Sequence, residues 1–94
     1  YLILKGAHSL LATPEGKIYI NSTGNPGMAS AGMGDALTGI VAGFLAQGIS
    51  PCAAACAAIY VHGLAGDIAA EKSAHLITSD VIDLLPIAMQ RSGI

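Results

Sequence analysis

The chain is short and apolar: it has 94 residues, of which 53% are hydrophobic and 11% are charged, and its net charge is −2. A typical soluble domain carries about 25% charged residues, so this chain has too little charge to cover its own surface. The composition indicates one domain at most, and we expect residues 1–94 to be a fragment of one domain in a longer protein. The negative net charge argues against nucleic acid as a partner, because such partners require a basic surface.

Cysteine usage and the uncharged middle of the chain bear on its location. Cys52 and Cys56 lie in an alanine-rich stretch with no secretory signal before them, which is typical of a cytoplasmic protein. No charged residue lies between Asp35 and Asp67, but residues 47–51 divide this segment into two pieces too short to span a membrane. We therefore expect a cytoplasmic protein with two buried helices and no membrane partner.

The first third of the chain is predicted to form strands. Residues 1–5 are an apolar run that ends in a lysine, the pattern of a central strand covered on both faces in a parallel or mixed sheet. Residues 10–13 and 17–21 flank a Pro-Glu-Gly turn and indicate a hairpin. Residues 22–34 are rich in glycine and small polar residues, which indicates a loop that allows close backbone approach.

Apolar periodicity predicts three helices after this loop. The first covers residues 35–47, and the second covers residues 52–72 behind a cap at Ser50. A last helix is expected to be capped by Ser79 and to kink or end at Pro86.

The strongest chemical feature is a glycine-rich loop, residues 24–34, that runs directly into a helix at Asp35. Free amides at a helix start suit an anion such as phosphate, so Gly32, Met33 and Gly34 are predicted to form an anion hole. A carboxylate beside such a site makes chemical sense if Asp35 accepts the proton of an attacking hydroxyl. The same residues also fit a tight turn followed by an ordinary helical turn, and the spacing does not decide between the two interpretations.

Three familiar glycine motifs do not match this loop. A dinucleotide fingerprint needs glycine where Leu37 stands, and a Walker loop needs a lysine that this segment lacks. A nucleophile elbow around Ser30 needs glycine where Met28 stands.

A second candidate site follows the first predicted strand. Lys5 is placed to reach a phosphate, while the amides of Gly6 and Ala7 and the hydroxyl of Ser9 are candidates to hold its oxygens. The alternative is a strand that ends in a solvated lysine and a turn.

In the helical region, His62 is considered as a metal ligand and as a residue that lines a cleft. Cys52 and Cys56 share a face of the predicted helix but His62 points elsewhere, so these residues predict no metal site. His62 and Asp67 either hydrogen-bond within the protein or line a cleft.

Four segments in this order and spacing closely resemble the C-terminal third of the ADP-dependent NAD(P)H-hydrate dehydratases, members of the ribokinase-like superfamily. They are Lys5-Gly6-Ala7-His8-Ser9, Gly24-Asn25-Pro26-Gly27-Met28-Ala29, Gly32-Met33-Gly34-Asp35 and His62-Gly63-Leu64-Ala65-Gly66-Asp67. The resemblance implies an α/β fold: this chain would be the C-terminal portion of a mostly parallel, ribokinase-like sheet flanked by helices. The family often has threonine at the position of Ser9, which keeps the hydroxyl, and residues 72–77 lack glycines expected before the last helix.

The resemblance also implies the reaction and its residues. ADP would phosphorylate the added hydroxyl of (6S)-NAD(P)H hydrate, and elimination would then give NAD(P)H, AMP and phosphate. By position, the nucleotide-binding residues are Lys5, Gly6, Ala7, His8, Ser9 and Gly34. Asp35 corresponds to the residue that meets the hydrate and acts as the catalytic base. Mg²⁺ would accompany the nucleotide, although no ligand for it is identifiable. We further expect a homo-oligomer, and an epimerase domain upstream or as a separate protein.

Two other functions fit parts of the sequence. One is a kinase of a small alcohol or vitamin precursor on the same fold, with the same anion hole and aspartate. The other is a non-catalytic helical module that associates through Gly39 and Gly43, although these glycines are also expected where a helix presses against a strand.

Overall fold

The computed structural model describes residues 1–6, 8–29, 31–72 and 76–93. Three short strands come first: β1 (Leu2–Leu4), β2 (Leu10–Ala12) and β3 (Ile18–Ile20). A 3-10 turn at Pro26–Met28 interrupts the following loop. Four helices complete the described chain: α1 (Met33–Ala46), α2 (Pro51–Ala70), α3 (Thr78–Asp83) and α4 (Leu85–Ser92).

The three strands form an antiparallel sheet in the order β1-β2-β3. The predicted hairpin is confirmed: the backbone N–H of Thr13 donates to the Lys17 carbonyl at 2.9 Å, and Gly16 takes a positive φ of 84° in the turn. Among the described strands, the predicted parallel pairing does not occur. The segment between β1 and β2 is too short for the crossover of a dozen or more residues that a parallel pair needs.

One face of the sheet packs against the helices and the other does not. Leu11 is buried, and Ile3 and Tyr19 lie opposite it in the strand register. On the other face Leu2 and Leu4 are more than half exposed. The prediction that the first strand is covered on both faces is therefore wrong for the described part of the chain, which supplies only one covering layer.

Helix α1 begins two residues earlier than predicted. Gly32 is its N-cap, in the left-handed region at φ 86°, so Met33, Gly34 and Asp35 form the first turn. A glycine tolerates this conformation without the steric cost that a Cβ brings. Gly39 and Gly43 have no heavy atom within 4 Å of an added Cβ, so in the described structure they do not press against a strand as predicted.

Helices α3 and α4 are separated near Pro86, as predicted, since Pro86 lies in the first turn of α4. The cap of α3 differs from the prediction. Ser79 lies inside α3, and the carboxylate of Asp80 accepts a hydrogen bond from the backbone N–H of Ile77 at 3.0 Å. The Asp80 carboxylate is a stronger helix-start signal than the Ser79 hydroxyl, because its negative charge also interacts favourably with the positive end of the helix dipole.

Helix α2 is the central element, because both hydrophobic clusters are built on it. One cluster joins α2 to α3, α4 and Met33, and the other joins it to Leu11, Leu37 and Phe44. Alanines at its contact positions, such as Ala54, Ala58 and Ala65, are fully buried. By length and composition alone α2 is apolar enough to cross a membrane, but 56% of that window is buried inside the protein. Such burial is typical of a core helix.

Candidate functional site

The two segments predicted to bind phosphate meet in one cleft. The cleft has a volume of about 520 Å³ and lies between the end of β1, the loop of residues 21–29, and the facing turns of α1 and α2. Of the predicted site residues, it is lined by Lys5, Gly6, Ser9, Met33 and Gly34. Residues far apart in the chain therefore share a single concave surface of a size typical of small-molecule sites.

Lys5 and Gly34 are in direct contact across this cleft. A Cβ added to Gly34 would collide with Nζ of Lys5, so the absence of a side chain gives the amine its place. The ammonium group therefore lies over the first turn of α1, whose backbone N–H groups also favour an anion. Two independent sources of positive potential point at the same part of the cleft.

Other predicted site residues lie outside the lining of the cleft. His8 and Asp35 are exposed, and Asp35 directly follows Gly34 in the first turn of α1. Gly32 caps the helix, and an added Cβ there would lie 3.0 Å from Oγ1 of Thr78. Ala7 lies outside the described residues, so its predicted role stays a prediction.

The loop that forms one wall of the cleft is hydrogen-bonded to α2 by side chains that no sequence motif identifies. The amide of Asn21 donates to the Ile59 carbonyl at 3.3 Å, and the hydroxyl of Thr23 donates to the Tyr60 carbonyl at 2.9 Å. Thr23 is buried. No local sequence pattern predicts that a threonine in this glycine-rich loop is buried.

Asp67 fastens the same loop from further along α2. Its Oδ2 accepts from the backbone N–H of Gly24 at 3.0 Å, and its Oδ1 accepts from the amide of Asn25 at 2.9 Å. Asn25 in turn accepts from the N–H of Gly27 at 3.0 Å, which starts the 3-10 turn. Of the two roles considered for Asp67, hydrogen bonding within the protein is the one observed.

His62 lines the cleft on the side of α2. Burial lowers the pKa of His62, the nearby cation of Lys5 lowers the pKa further, and a hydrogen bond to the backbone of Met33 opposes both effects. Within the described structure its Nε2 atom is buried without a hydrogen-bond partner. The imidazole is therefore neutral near pH 7, and Lys5 is the cation that faces it.

Metal-binding groups are sparse. Among residues 1–6, 8–29, 31–72 and 76–93, no group of three or more His, Cys, Asp or Glu side chains is placed to hold a metal ion. Cys52 and Cys56 are free thiols and partly exposed. At sites with few protein ligands, Mg²⁺ is commonly held through substrate phosphates and water.

Comparison with known proteins identifies the family. The sequence profile of the NAD(P)H-hydrate dehydratase family matches residues 1–87, and the chain belongs to this family. It is 50% identical over 91 residues to the bifunctional NAD(P)H-hydrate repair enzyme of Moorella thermoacetica, covering 95% of this chain and 17% of that enzyme. It is 37% identical over 92 residues to the ADP-dependent (S)-NAD(P)H-hydrate dehydratase of Bacillus subtilis, covering 96% of this chain and 33% of that enzyme.

Solved structures agree with this assignment. The crystal structure of the ADP/ATP-dependent NAD(P)H-hydrate dehydratase from Bacillus subtilis, co-crystallized with ATP/Mg²⁺, superposes with a TM-score of 0.86 at 36% identity. The match covers 94% of this chain and 32% of that protein. The resemblance found in the sequence and the α/β fold are therefore confirmed, and the chain spans about a third or less of its relatives.

Proposed function

We propose that the complete protein is an enzyme that dehydrates (6S)-NAD(P)H hydrate with ADP as the phosphoryl donor. The observation that carries this proposal is the contact between Lys5 and Gly34 inside the cleft of a chain of this family. The Bacillus subtilis relative is an ADP-dependent (S)-NAD(P)H-hydrate dehydratase, which supports these two substrates. The word bifunctional in other relatives' names supports a second repair activity, for which an epimerase is the natural candidate.

The reaction has two steps in this proposal. The added hydroxyl of the hydrate attacks the terminal phosphorus of ADP, the bond to AMP breaks, and the hydroxyl proton passes to the base. The phosphate then leaves with the electrons of the carbon–oxygen bond, while the neighbouring ring carbon loses a proton to form the double bond. The products are NAD(P)H, AMP and phosphate.

This chain's residues act on the phosphate and the proton. Lys5 and the amides of Met33 and Gly34 hold the transferred phosphoryl group, where its negative charge grows during transfer. Asp35 is the base in this assignment, because its carboxylate lies in the same first turn of α1 as Met33 and Gly34. The remaining nucleotide contacts assigned to this chain are Gly6, Ala7, His8 and Ser9. Mg²⁺ supplies charge neutralisation on the phosphates when it is bound with the nucleotide.

The complete domain in this proposal has a mostly parallel, ribokinase-like sheet. Support comes from the outer edge of β1, which pairs with no described strand, and from the greater length of the relatives. A parallel strand from the rest of the domain would pair at this edge. We also propose a homo-oligomer and a cytoplasmic location.

Asp35→Asn in the complete protein tests the proposal. The variant should keep its affinity for ADP and lose on the order of 10² to 10⁴ in kcat, the usual range for a lost general base. Steady-state kinetics on hydrated NADH would follow both phosphate release and the return of nicotinamide absorbance. The matched control is Glu15→Gln, which neutralises an exposed carboxylate in the hairpin turn.

The products of the reaction distinguish the proposed dehydratase from a kinase and from a non-catalytic module. Turnover of Asp35→Asn close to that of the wild type would remove Asp35 from the mechanism. A stable phosphorylated alcohol without phosphate release would indicate a kinase instead. Assembly without nucleotide binding would indicate a helical association module.

A further inference from the structure

Asp67 contacts the cleft wall from behind. Its two carboxylate oxygens each accept one hydrogen bond, from the N–H of Gly24 and from the amide of Asn25. Gly24 and Asn25 line the cleft, whereas Asp67 does not. The carboxylate is therefore placed to control the shape of the wall without touching what the cleft binds.

These hydrogen bonds continue through Asn25 to the 3-10 turn, and we call the hydrogen-bonded series Asp67–Asn25–Gly27 the relay. Asn25 uses its amide nitrogen on Asp67 and its carbonyl oxygen on the N–H of Gly27. Both polar atoms of the Asn25 side chain are thus hydrogen-bonded. The position of the Asp67 carboxylate therefore constrains the backbone from Gly24 to Gly27. Gly24 itself adopts a φ of 105°, which side chains rarely allow.

We propose that Asp67 is a positioning residue of the cleft, which holds the Gly24–Gly27 wall in the shape that binds the ligands. The inference rests on the proposed function for the identity of those ligands, ADP and the hydrate. A carboxylate is required because two donors converge on it. An amide at this position would present its NH₂ group to one of them, so one hydrogen bond would be lost and two donors would oppose each other.

The arrangement permits a rescue by exchange. Asp67→Asn alone removes one acceptor, but combined with Asn25→Asp it restores all three hydrogen bonds. In the double variant the new carboxylate accepts from Gly27 and from the amide on α2, and that amide's oxygen accepts from Gly24. The net charge of the protein is unchanged from the wild type.

The experiment measures ADP binding by calorimetry with Mg²⁺, steady-state kinetics on hydrated NADH, and thermal unfolding, all on the complete protein. Asp67→Asn should weaken ADP binding or raise the KM of the hydrate on the order of tenfold, as expected for one charge-assisted hydrogen bond. Its kcat should change by less than about threefold, since Asp67 does not touch the reacting groups. The double variant should recover most of the affinity.

The matched control is Asp80→Asn. Asp80 also accepts a hydrogen bond from a backbone N–H, that of Ile77, but it caps α3 and does not line the cleft. This variant should lower the unfolding temperature and leave affinity and KM unchanged. If Asp67→Asn behaves in the same way, Asp67 stabilises the fold only and the proposal is overturned.

Each remaining outcome also supports or contradicts the proposed role of Asp67. An affinity that falls in Asp67→Asn and is not recovered in the double variant contradicts the relay. If Asp67→Asn does not fold, the double variant and Asn25→Ala, which breaks the relay at its middle, give the same comparison. Wild-type protein that binds ADP but does not turn over the hydrate would refute the proposed function, while the ADP affinities of the variants would still judge Asp67. Wild-type protein that does not bind ADP would overturn both.

Discussion

At the scale of single residues, two glycines of α1 have opposite surroundings. A side chain at Gly34 would collide with Nζ of Lys5, whereas a side chain at Gly39 would meet no heavy atom within 4 Å. The colliding atom is the far end of a flexible side chain, so Gly34→Ala should leave stability nearly unchanged while displacing the amine. We therefore expect Gly34→Ala to weaken ADP binding on the order of tenfold or more, the effect of one lost charge-assisted contact.

Calorimetric titration of the complete protein with ADP and Mg²⁺ measures this loss. Gly39→Ala is the control in the same helix, and it should leave ADP affinity unchanged while raising stability by about 0.4–1 kcal/mol. Unchanged affinity in Gly34→Ala would mean that the phosphate does not lie between Lys5 and α1.

His62 should make stability depend on pH. Burial and Lys5 lower its pKa from the ordinary value of 6.5, so the unfolded chain takes up the proton at a higher pH than the folded protein does. Stability contributed by the neutral imidazole is therefore complete above about pH 6.5 and falls as the pH drops below it. His62→Gln, which cannot titrate, should reduce this dependence.

Urea unfolding of the complete protein at about pH 7.5 and about pH 5.5 checks the prediction for His62. Comparing the variant with the wild type isolates the contribution of His62, because every other residue is the same in the two proteins. An equal loss of stability at the lower pH in the two proteins would show that His62 is not the group responsible.

At the scale of secondary-structure elements, α2 supports the cleft because glycines let the loop lie directly on it. A Cβ added to Gly63 would lie 2.7 Å from the carbonyl carbon of Thr23 and 2.9 Å from the nitrogen of Gly24, and this backbone must shift to accept it. The three atoms nearest to a Cβ added to Gly66 all belong to the flexible side chain of Met28. We expect Gly63→Ala to destabilise the complete protein by about 1–3 kcal/mol and to weaken ligand binding.

The matched variant Gly66→Ala should cost less stability, since a thioether side chain can move more easily than backbone. Thermal unfolding together with ADP affinity provides the comparison. Equal effects of the two substitutions would contradict the close contact of the loop with Gly63.

Local patterns in the sequence account for part of this architecture. The Pro-Glu-Gly turn predicts the hairpin, and apolar periodicity together with Ser50-Pro51 predicts α2, because these signals act within a few residues. The sequence pattern predicts a start of α1 two residues too late, because Gly32 caps the helix through a left-handed backbone and not through a side chain. The antiparallel pairing of β1 with β2 follows from the short segment between them, whereas an apolar run by itself does not specify the direction of the neighbouring strand.

The candidate site, like the fold, is predictable from local sequence only in part. Residues 5–9 and 32–34 were each recognisable by their free backbone donors and glycines, and the structure brings described members of both into one cleft. The hydrogen bonds that fasten the cleft wall were not predictable in the same way. They join Thr23 to Tyr60 and Gly24 to Asp67, pairs separated by long stretches of chain, and no local pattern specifies such partners.

At the scale of the whole molecule, the sheet leaves an apolar face uncovered. Leu2, Leu4, Ile18 and Ile20 are more than half exposed on this face, and Ile20 is 71% exposed. The outer edges of β1 and β3 pair with no other described strand. A chain of about this length buries only somewhat over 60% of the surface of its unfolded form. Its free energy of unfolding is therefore small, and an exposed apolar face lowers it further.

The 94-residue chain on its own should therefore self-associate rather than persist as a well-packed monomer. Sedimentation velocity over a range of concentrations measures this, and amide hydrogen exchange reports the packing. Replacing Ile18 and Ile20 with lysine places charge on both the exposed face and its edge strand, and should shift the chain toward the monomer without changing the buried face that carries Leu11. A monodisperse monomer with strongly protected amides, already in the unsubstituted chain, would show that the sheet face needs no cover. It would also contradict the interpretation of this chain as part of a larger domain, on which the proposed reaction depends.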